Sequence, residues 1–152
     1  MNQINRIQAA LKERKLDAVL IIDEKNQRYA LGFPFTDGAV LISQERAWLI
    51  TDSRYVEAAA LAVGGLAEVL VFDARRSLSE TVRQLVQRAG LRRLGLEEEK
   101  LSHGAFLRWQ QALGCEMIPV QAMFDALRAV KSEEELASMR LALKFIDRYM
   151  LV

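Results

Sequence analysis

Apolar positions along the chain alternate between a helical and a strand-like spacing. Ile4, Ile7 and Leu11 recur at intervals of three and four and predict the buried face of an opening helix. The continuous apolar run Ala18 to Ile22 is too short for a buried helix and is typical of a strand covered on both faces. The alternation continues with predicted strands at 39–43, 47–51, 68–72, 93–97 and 115–120, a short helical or irregular segment at 26–31, and predicted helices at 54–63, 77–89 and 102–113.

A hairpin is predicted in the middle of this series. The strands 39–43 and 47–51 are separated by only three polar residues, which favours antiparallel pairing. Strands that otherwise alternate with helices favour parallel pairing. The sequence therefore predicts a layered α/β fold around a mixed sheet.

Capping residues indicate where two of the helices begin. Ser77 and Glu80 have the spacing of a capping box, in which each side chain accepts from the backbone of the other. Asp52 and Ser53 follow a predicted strand and can cap the helix at 54–63.

The last 21 residues form a separate helical pattern. Ser132 and Glu135 again have capping-box spacing, and no glycine or asparagine closes the helix that they open. One apolar seam consists of Leu136, Met139, Leu143, Ile146 and Met150. A second apolar flank consists of Leu141, Phe145 and Tyr149. A helix with so wide an apolar arc is expected to be covered on both sides.

We interpret this tail as the start of a further domain. The sequence then divides into a domain at 1–131 and, at 132–152, the junction and first helix of a domain that is cut inside a larger protein. Dimerisation through this helix, in a free-standing interaction module, is the alternative. Leu141, Phe145 and Tyr149 are the candidate interface residues in either case.

Composition excludes several classes of partner. The formal net charge is +1, and the basic clusters lack interleaved aromatic residues, so neither nucleic acid nor an anionic membrane is expected as a partner. The longest apolar stretch is well below the ~18 residues of a membrane span. A single cysteine and an N-terminus without a secretory pattern predict a cytoplasmic protein.

Most catalytic motifs are absent from the sequence. His103 is the only histidine and has no second ligand at metal-binding spacing, so we interpret it as an exposed residue at a helix start. Cys115 is interpreted as a buried small apolar residue on a strand. Neither a nucleophile elbow nor a glycine-rich phosphate loop occurs.

One acidic set has catalytic potential. Asp23, Asp52, Asp73 and Glu97 each follow or end a predicted strand. Parallel strands would place them along one edge of the sheet, where divalent metals could support phosphoester hydrolysis. The alternative is that they are ordinary turn and N-cap residues.

The loop at 32–38 offers a candidate binding surface. Phe33 and Phe35 flank Pro34 in a segment rich in loop-forming residues. Exposed aromatic side chains on a stiff loop suit contact with a ligand or another subunit. Alternatively, both side chains tuck under the loop into the core.

Four stretches of the chain together resemble a known family. They read Asn26-Gln-Arg-Tyr29-Ala-Leu-Gly32-Phe33, Ala47-Trp-Leu-Ile-Thr-Asp52-Ser-Arg54-Tyr55, Leu94-Gly95-Leu-Glu97 and, from Leu127 to Arg140, Leu-Arg-Ala-Val-Lys-Ser-Glu-Glu-Glu-Leu-Ala-Ser-Met-Arg. In the same order, they are similar to motifs of the N-terminal domain of the creatinase/prolidase/aminopeptidase P family. Ala30-Leu31 stands where Leu-Thr is usual, and Val130 replaces the commoner isoleucine.

The resemblance implies a three-layer α/β/α fold with a mixed sheet and a role outside the chemistry. Family members hydrolyse Xaa-Pro bonds or, in creatinase, the amidine of creatine. Their peptidases hold two divalent metals (manganese, cobalt or zinc) in a C-terminal catalytic domain, so this chain is expected to hold no cofactor itself. The N-terminal domain shapes the mouth of the active site and supports homodimerisation. The implied partners are therefore the missing catalytic domain, a second copy, and a proline-containing peptide substrate.

The resemblance also bears on individual residues. The loop after the Gly-Phe motif approaches the active-site mouth in relatives, which makes Phe33, Phe35, Thr36 and Asp37 candidate substrate-rim residues. Asp52, Arg54 and Tyr55 form a structural motif, and we interpret Asp52 and Arg54 as an ion pair.

Overall fold

The computed structural model describes residues 2–33, 35 and 37–150. Within these residues, helices and strands alternate as the sequence predicts. The elements are α1 Gln3–Glu13, β1 Ala18–Ile21, α2 Glu24–Leu31, β2 Gly38–Ser43, β3 Ala47–Thr51, α3 Val56–Val63, β4 Glu68–Val71, α4 Leu78–Arg88, β5 Arg93–Leu96, α5 His103–Leu113, β6 Glu116–Pro119, α6 Gln121–Ala129 and α7 Glu133–Met150.

The six strands form one mixed sheet in the order β4-β3-β2-β1-β5-β6. Strand β2 runs antiparallel to β3, as the hairpin predicts, and also to β1, which was not predicted; the other pairs are parallel. Strands β1, β3, β4, β5 and β6 therefore end at the same side of the sheet. We call that side the carboxyl edge.

Helices cover both faces of the sheet and confirm the three-layer α/β/α fold. Side chains alternate along β1, so that Val19 and Ile21 face one core and Ala18 and Leu20 face the other. Helices α1, α2, α3 and α6 pack on the first face, and α4 and α5 on the second. Double coverage explains why β1 and β3 are buried at every position and why, apart from Thr51 at the end of β3, their residues are apolar.

Two helix starts differ from their prediction. Helix α3 begins at Val56 rather than Arg54, because the Asp52 carboxylate accepts from the Arg54 amide in a turn that precedes the helix. At α4, Ser77 caps the Glu80 amide as predicted, but the Glu80 carboxylate binds Arg83 instead of completing the capping box.

Helix α6 was not predicted, and it leads directly to α7. The capping box that opens α7 is confirmed in both directions: Ser132 N donates to Glu135 Oε2 at 2.7 Å, and Glu135 N donates to Ser132 Oγ at 3.2 Å. Every residue from 137 to 149 is exposed, so most of α7 packs against nothing in the described part of the chain. None of the described helices combines the length and hydropathy that a membrane crossing requires.

Candidate functional site

Three of the four family-like stretches meet in one network near the carboxyl edge, and the fourth contributes to a second cluster with the loop before β2. Asn26, Glu97 and Arg128 form a buried network, and Asp37, Asp52, Arg54 and Tyr55 form a loop–turn cluster at the surface. The two sets are built from similar groups, carboxylates paired with an arginine or an amide. They differ in burial, and therefore in what they can do.

Glu97 is the centre of the buried network. It directly follows β5 and is completely buried. Its carboxylate accepts from the backbone amides of Ile22 (2.6 Å) and Asp23 (2.8 Å) and from the side-chain amide of Asn26 (2.5 Å). Burial raises the pKa of Glu97 above its usual range, and these hydrogen bonds oppose the rise. Glu97 thus joins β5 to the turn between β1 and α2.

Asn26 carries the network onwards to α6. It is fully buried, and its Oδ1 accepts from Arg128 Nη1 at 3.3 Å. Asn26 and Arg128 both lie in family-like stretches, but the sequence alone assigns a role to neither. Their positions are 102 apart in the sequence, and only the fold brings them together.

Gly95 explains how closely β5 approaches the chain that enters α6. A Cβ atom at Gly95 would lie 2.6 Å from Val120 Cγ1 and 3.3 Å from Val19 Cγ2. Real side chains do not approach so closely, so the residue between Leu94 and Leu96 must be small. The Gly-hydrophobic-Glu motif therefore combines close packing with a buried acceptor.

Arg54 is the centre of the loop–turn cluster. Its guanidinium donates to Asp37 Oδ2 at 2.6 Å and, through both Nε and Nη2, to Asp52 Oδ2. It also lies over the ring of Tyr55, 5.5 Å from the centroid. The side chain hydrogen bond from Arg54 lowers the pKa of Asp52. The predicted pair of Asp52 and Arg54 is thus present, and Asp37 extends it to the preceding loop.

Backbone geometry fixes the end of that loop. Gly38 has φ +150°, and a Cβ there would lie 2.2 Å from the carbonyl oxygen of Ile50. Thr51 Oγ1 donates to the Asp37 carbonyl at 3.3 Å, and the buried Gln27 side chain donates to the Gly38 carbonyl at 3.3 Å. The backbone at Asp37 is therefore held in place, and the Asp37 carboxylate is exposed to solvent.

The candidate rim residues are placed differently from one another. Phe35 is 3% exposed and belongs to the core, and Phe33 is half-buried and stacks on it with ring centroids 6.0 Å apart. Asp37 is exposed. Thr36 lies outside the described residues. The sequence left open whether these aromatic side chains are exposed or buried in the core. Phe35 is buried in the core, and Phe33 is partly exposed.

The acidic set lies along the carboxyl edge, but each carboxylate has local partners. Asp23 caps α2, Asp52 binds Arg54, and Asp73 accepts from the backbone amides of its own turn. Asp23 and Glu97 lie on one side of β2, and Asp52 and Asp73 on the other. Among the described residues, no three histidine, cysteine or acidic side chains gather in a way that could hold a metal.

The other candidate groups lie away from both sets. His103 is exposed as the first residue of α5. Cys115 directly precedes β6, the edge strand of the sheet, and is half-buried rather than buried; this partial burial nevertheless raises the pKa of its thiol. Leu141, Phe145 and Tyr149 are 56%, 52% and 73% exposed on α7.

An open groove of about 750 Å³ lies between α2, α6 and the start of α7. Its cationic residues are Lys25, Arg28, Arg128 and Lys131. Its acidic residues are Asp125, Glu134 and Glu135. Because the two signs nearly balance, the groove favours neither anionic nor cationic ligands.

Comparison with known proteins agrees with the placement of these motifs. Residues 3–130 match the Creatinase/Prolidase N-terminal domain. Over 133 residues the chain is 32% identical to the uncharacterized peptidase YqhT of Bacillus subtilis strain 168. The match covers 87% of this chain and 37% of that protein.

Two solved structures are similar over most of the chain. The Xaa-Pro dipeptidase from Bacillus anthracis has a TM-score of 0.81 and 31% identity, over 89% of this chain and 37% of its own. The X-Pro aminopeptidase from Thermotoga maritima MSB8 has a TM-score of 0.86 and 27% identity, over 99% of this chain and 42% of its own. The chain thus spans well under half the length of these relatives, and it belongs to the Creatinase/Prolidase N-terminal domain family.

Proposed function

We propose that the chain is the noncatalytic N-terminal domain of an Xaa-Pro peptidase. The observation that carries this proposal is the match of residues 3–130 to the family, in relatives of which the chain spans only 37% to 42%. Catalysis then belongs to a C-terminal domain, of which residues 132–152 are the junction and the first helix. The parent is a cytoplasmic homodimer that acts on proline-containing peptides.

The two divalent metals of the family, manganese, cobalt or zinc, belong to that C-terminal domain in this proposal. The described residues of this chain do not fit them, because its carboxylates are engaged by backbone amides and by Arg54 and do not converge. We therefore assign this chain no step in the chemistry.

The role proposed for this chain is to shape the mouth of the active site. Asp37 is the rim candidate that the geometry supports best, because its carboxylate is exposed while Arg54, Thr51 and Gly38 hold its position. Phe33 lies beside it as a half-buried apolar surface, and Phe35 supports that surface from the core.

The test begins with the source gene beyond the codon for Val152. A reading frame that continues into a domain with the metal ligands of the family's peptidases, two aspartates, one histidine and two glutamates, supports the proposal. An immediate stop codon contradicts it. In the full-length enzyme, Asp37→Ala is expected to lower kcat/KM for Xaa-Pro peptides several-fold. Glu116→Ala is the matched control, since it removes an exposed ion pair with Arg93 at the opposite edge of the sheet. Equal kcat/KM in Asp37→Ala and wild type would argue against the rim.

A second candidate function is a dimerising module that uses α7. The observation that favours it is the exposed apolar surface of Leu141, Phe145 and Tyr149. If this is correct, sedimentation of the 152-residue chain is expected to show a dimer. The double variant Leu141→Ser, Phe145→Ser is expected to be a monomer. Leu61→Ser, which removes an 85% exposed leucine from α3, is the control that leaves the dimer intact. A wild-type monomer at high concentration excludes this module.

A further inference from the structure

The end of α6 is held by side chains from distant parts of the chain. The last carbonyl groups of a helix have no partner within the helix and need donors from elsewhere. Arg6 of α1 supplies them: its Nη2 donates to the Leu127 carbonyl at 3.0 Å, and both Nη atoms lie 3.3 Å from the Val130 carbonyl. A cation at this end of a helix also interacts favourably with the helix dipole.

Tyr29 of α2 holds the same turn. Its hydroxyl donates to the Leu127 carbonyl at 3.4 Å, and its ring lies under the Arg6 guanidinium at 5.9 Å from the centroid. Gln3 Oε1 accepts from Arg6 at 3.1 Å and fixes the guanidinium from the other side. The Gln3 amide and the Tyr29 ring therefore orient the Arg6 guanidinium toward the end of α6.

The buried network adds a third attachment. Arg128 donates to Asn26, and Asn26 is itself fixed by Glu97 in the interior. Residues of α1 and α2 thus contact the end of α6 directly, and Glu97, which follows β5, supports one of these contacts through Asn26. We call the set of Arg6, Tyr29, Asn26 and Arg128 the exit clamp.

Only a short connection separates the exit clamp from α7. Residues 130–132 join the two helices, and the capping box of Ser132 and Glu135 fixes the first turn of α7. Glu135 also lies close enough to Tyr29 for its charge to contribute to the raised pKa of that phenol, although burial is the larger cause. Beyond Leu136, residues 137–149 of α7 are all exposed.

We infer that the exit clamp sets the direction of α7 relative to the domain. Helix α7 has 18 residues and is therefore about 27 Å long. Since contacts are confined to its base, a swing of about 20° there would move its far end by about 9 Å. The clamp makes α7 a rigid lever, so that whatever is attached to it has a fixed orientation. This inference holds whether or not a catalytic domain follows.

The test is a spin-label distance measurement on the 152-residue chain. Cys115→Ser removes the native thiol, and labels are placed at the exposed positions Gln111→Cys on α5 and Lys144→Cys on α7. Dilution with unlabelled chain removes distances between copies. The expected wild-type result is a single narrow distance distribution.

Arg6→Met is expected to broaden that distribution by about 6 Å, the movement of residue 144 for a swing of about 20°. Arg46→Met is the matched control, because Arg46 also lies over an aromatic ring and binds one partner, but far from α6. Tyr29→Phe keeps the ring and loses one hydrogen bond, so a smaller broadening is expected. If Arg6→Met fails to fold, Arg6→Lys carries the test, because lysine keeps the charge but lacks the planar fork of donors that fixes the geometry at both carbonyls. A broad wild-type distribution, or folded Arg6 variants as narrow as wild type, would overturn the inference.

Discussion

The buried network and the loop–turn cluster use the same chemistry to different ends. Glu97 has no exposed surface and accepts three hydrogen bonds, whereas the Arg54 and Asp37 side chains are 65% and 55% exposed. A buried acceptor is costly to remove because its donors lose their partner where water does not reach. An exposed ion pair contributes little to stability because water competes for both charges. Similar groups therefore hold the fold together in one region and stay exposed to solvent in the other.

Removal of the Glu97 carboxylate is the strongest test of this contrast. Glu97→Ala leaves the amides of Ile22, Asp23 and Asn26 without an acceptor. At about 1–3 kcal/mol for each unsatisfied buried donor, we expect a loss of at least about 3 kcal/mol in the free energy of unfolding. Urea denaturation measures it. The neighbouring exposed Glu99→Ala is the control and is expected to leave the midpoint unchanged. A loss below about 1 kcal/mol for Glu97→Ala would show that the network is not structural.

The next largest effect is expected at Gly95. Gly95→Ala forces a methyl group to within 2.6 Å of Val120, and overpacking of this kind costs about 1–3 kcal/mol. Gly104→Ala is the control in α5, where the nearest side-chain atom is 3.5 Å away and alanine should stabilise the helix by about 0.5–1 kcal/mol. Thermal unfolding of both variants gives opposite shifts if the close approach is as described. Equal shifts would contradict the packing role of Gly95.

The contrast between the regions also explains which features the sequence could predict. Local patterns suffice for α1, for the hairpin of β2 and β3, and for the capping box at Ser132, because each depends on neighbouring residues. Helix α6 was missed although Val120, Phe124 and Leu127 have helical spacing and the first two are fully buried. That signal is short and directly follows a strand, so it is easily read as part of the connection.

Long-range contacts could not be predicted in the same way. The bond between Arg54 and Asp37 joins residues 17 apart, and the bond between Arg128 and Asn26 joins residues 102 apart. The first contact depends on the register of the β2–β3 hairpin, in which Gly38 pairs with Thr51, and the second on the order of strands in the sheet; periodicity determines neither. The burial of Phe35 depends likewise on how the loop after α2 folds back on the core.

The two regions are expected to respond to pH with opposite signs. Burial raises the pKa of Glu97, and hydrogen bonding from Arg54 lowers the pKa of Asp52. Titration of the side-chain carboxyl carbons by NMR should therefore give a midpoint above the ordinary glutamate value of about 4.3 for Glu97, and below the ordinary aspartate value of about 3.9 for Asp52. Carboxylate-to-amide variants assign the two signals.

The consequences for stability follow from proton linkage. The folded chain holds the Glu97 proton more tightly than the unfolded chain, so the stability that this group contributes is present at low pH and is lost as pH rises from about 4.3 through its folded pKa. The contribution of Asp52 is present above about 3.9 and is lost as pH falls through its lower folded pKa. Midpoints that shift in the same direction would remove the distinction between the regions.

The smallest effect on stability is expected at Arg54, and this variant sharpens the contrast from the other side. Arg54→Met removes the side-chain bonds to Asp37 and Asp52. Arg54 and Asp37 are 65% and 55% exposed, and Asp52, at 17% exposed, keeps its hydrogen bond from the backbone amide of residue 54, so the urea midpoint should change little. The variant instead loses the hydrogen bonds that join the loop at Asp37 to the turn at Asp52. Amide hydrogen exchange at 37–39 should accelerate, by about an order of magnitude or less, because local opening no longer breaks the Arg54 bonds.

Arg46→Met is the control for this measurement, since Arg46 is 66% exposed, binds Glu68 at 3.0 Å and lies at the other edge of the sheet. It should leave exchange at 37–39 unchanged. A midpoint loss as large as that of Glu97→Ala would place Arg54 among the residues that hold the fold. Unchanged exchange would mean that Thr51 and Gly38 alone keep Asp37 in place. Faster exchange at a constant midpoint is the result that separates a residue that positions a surface group from one that stabilises the core.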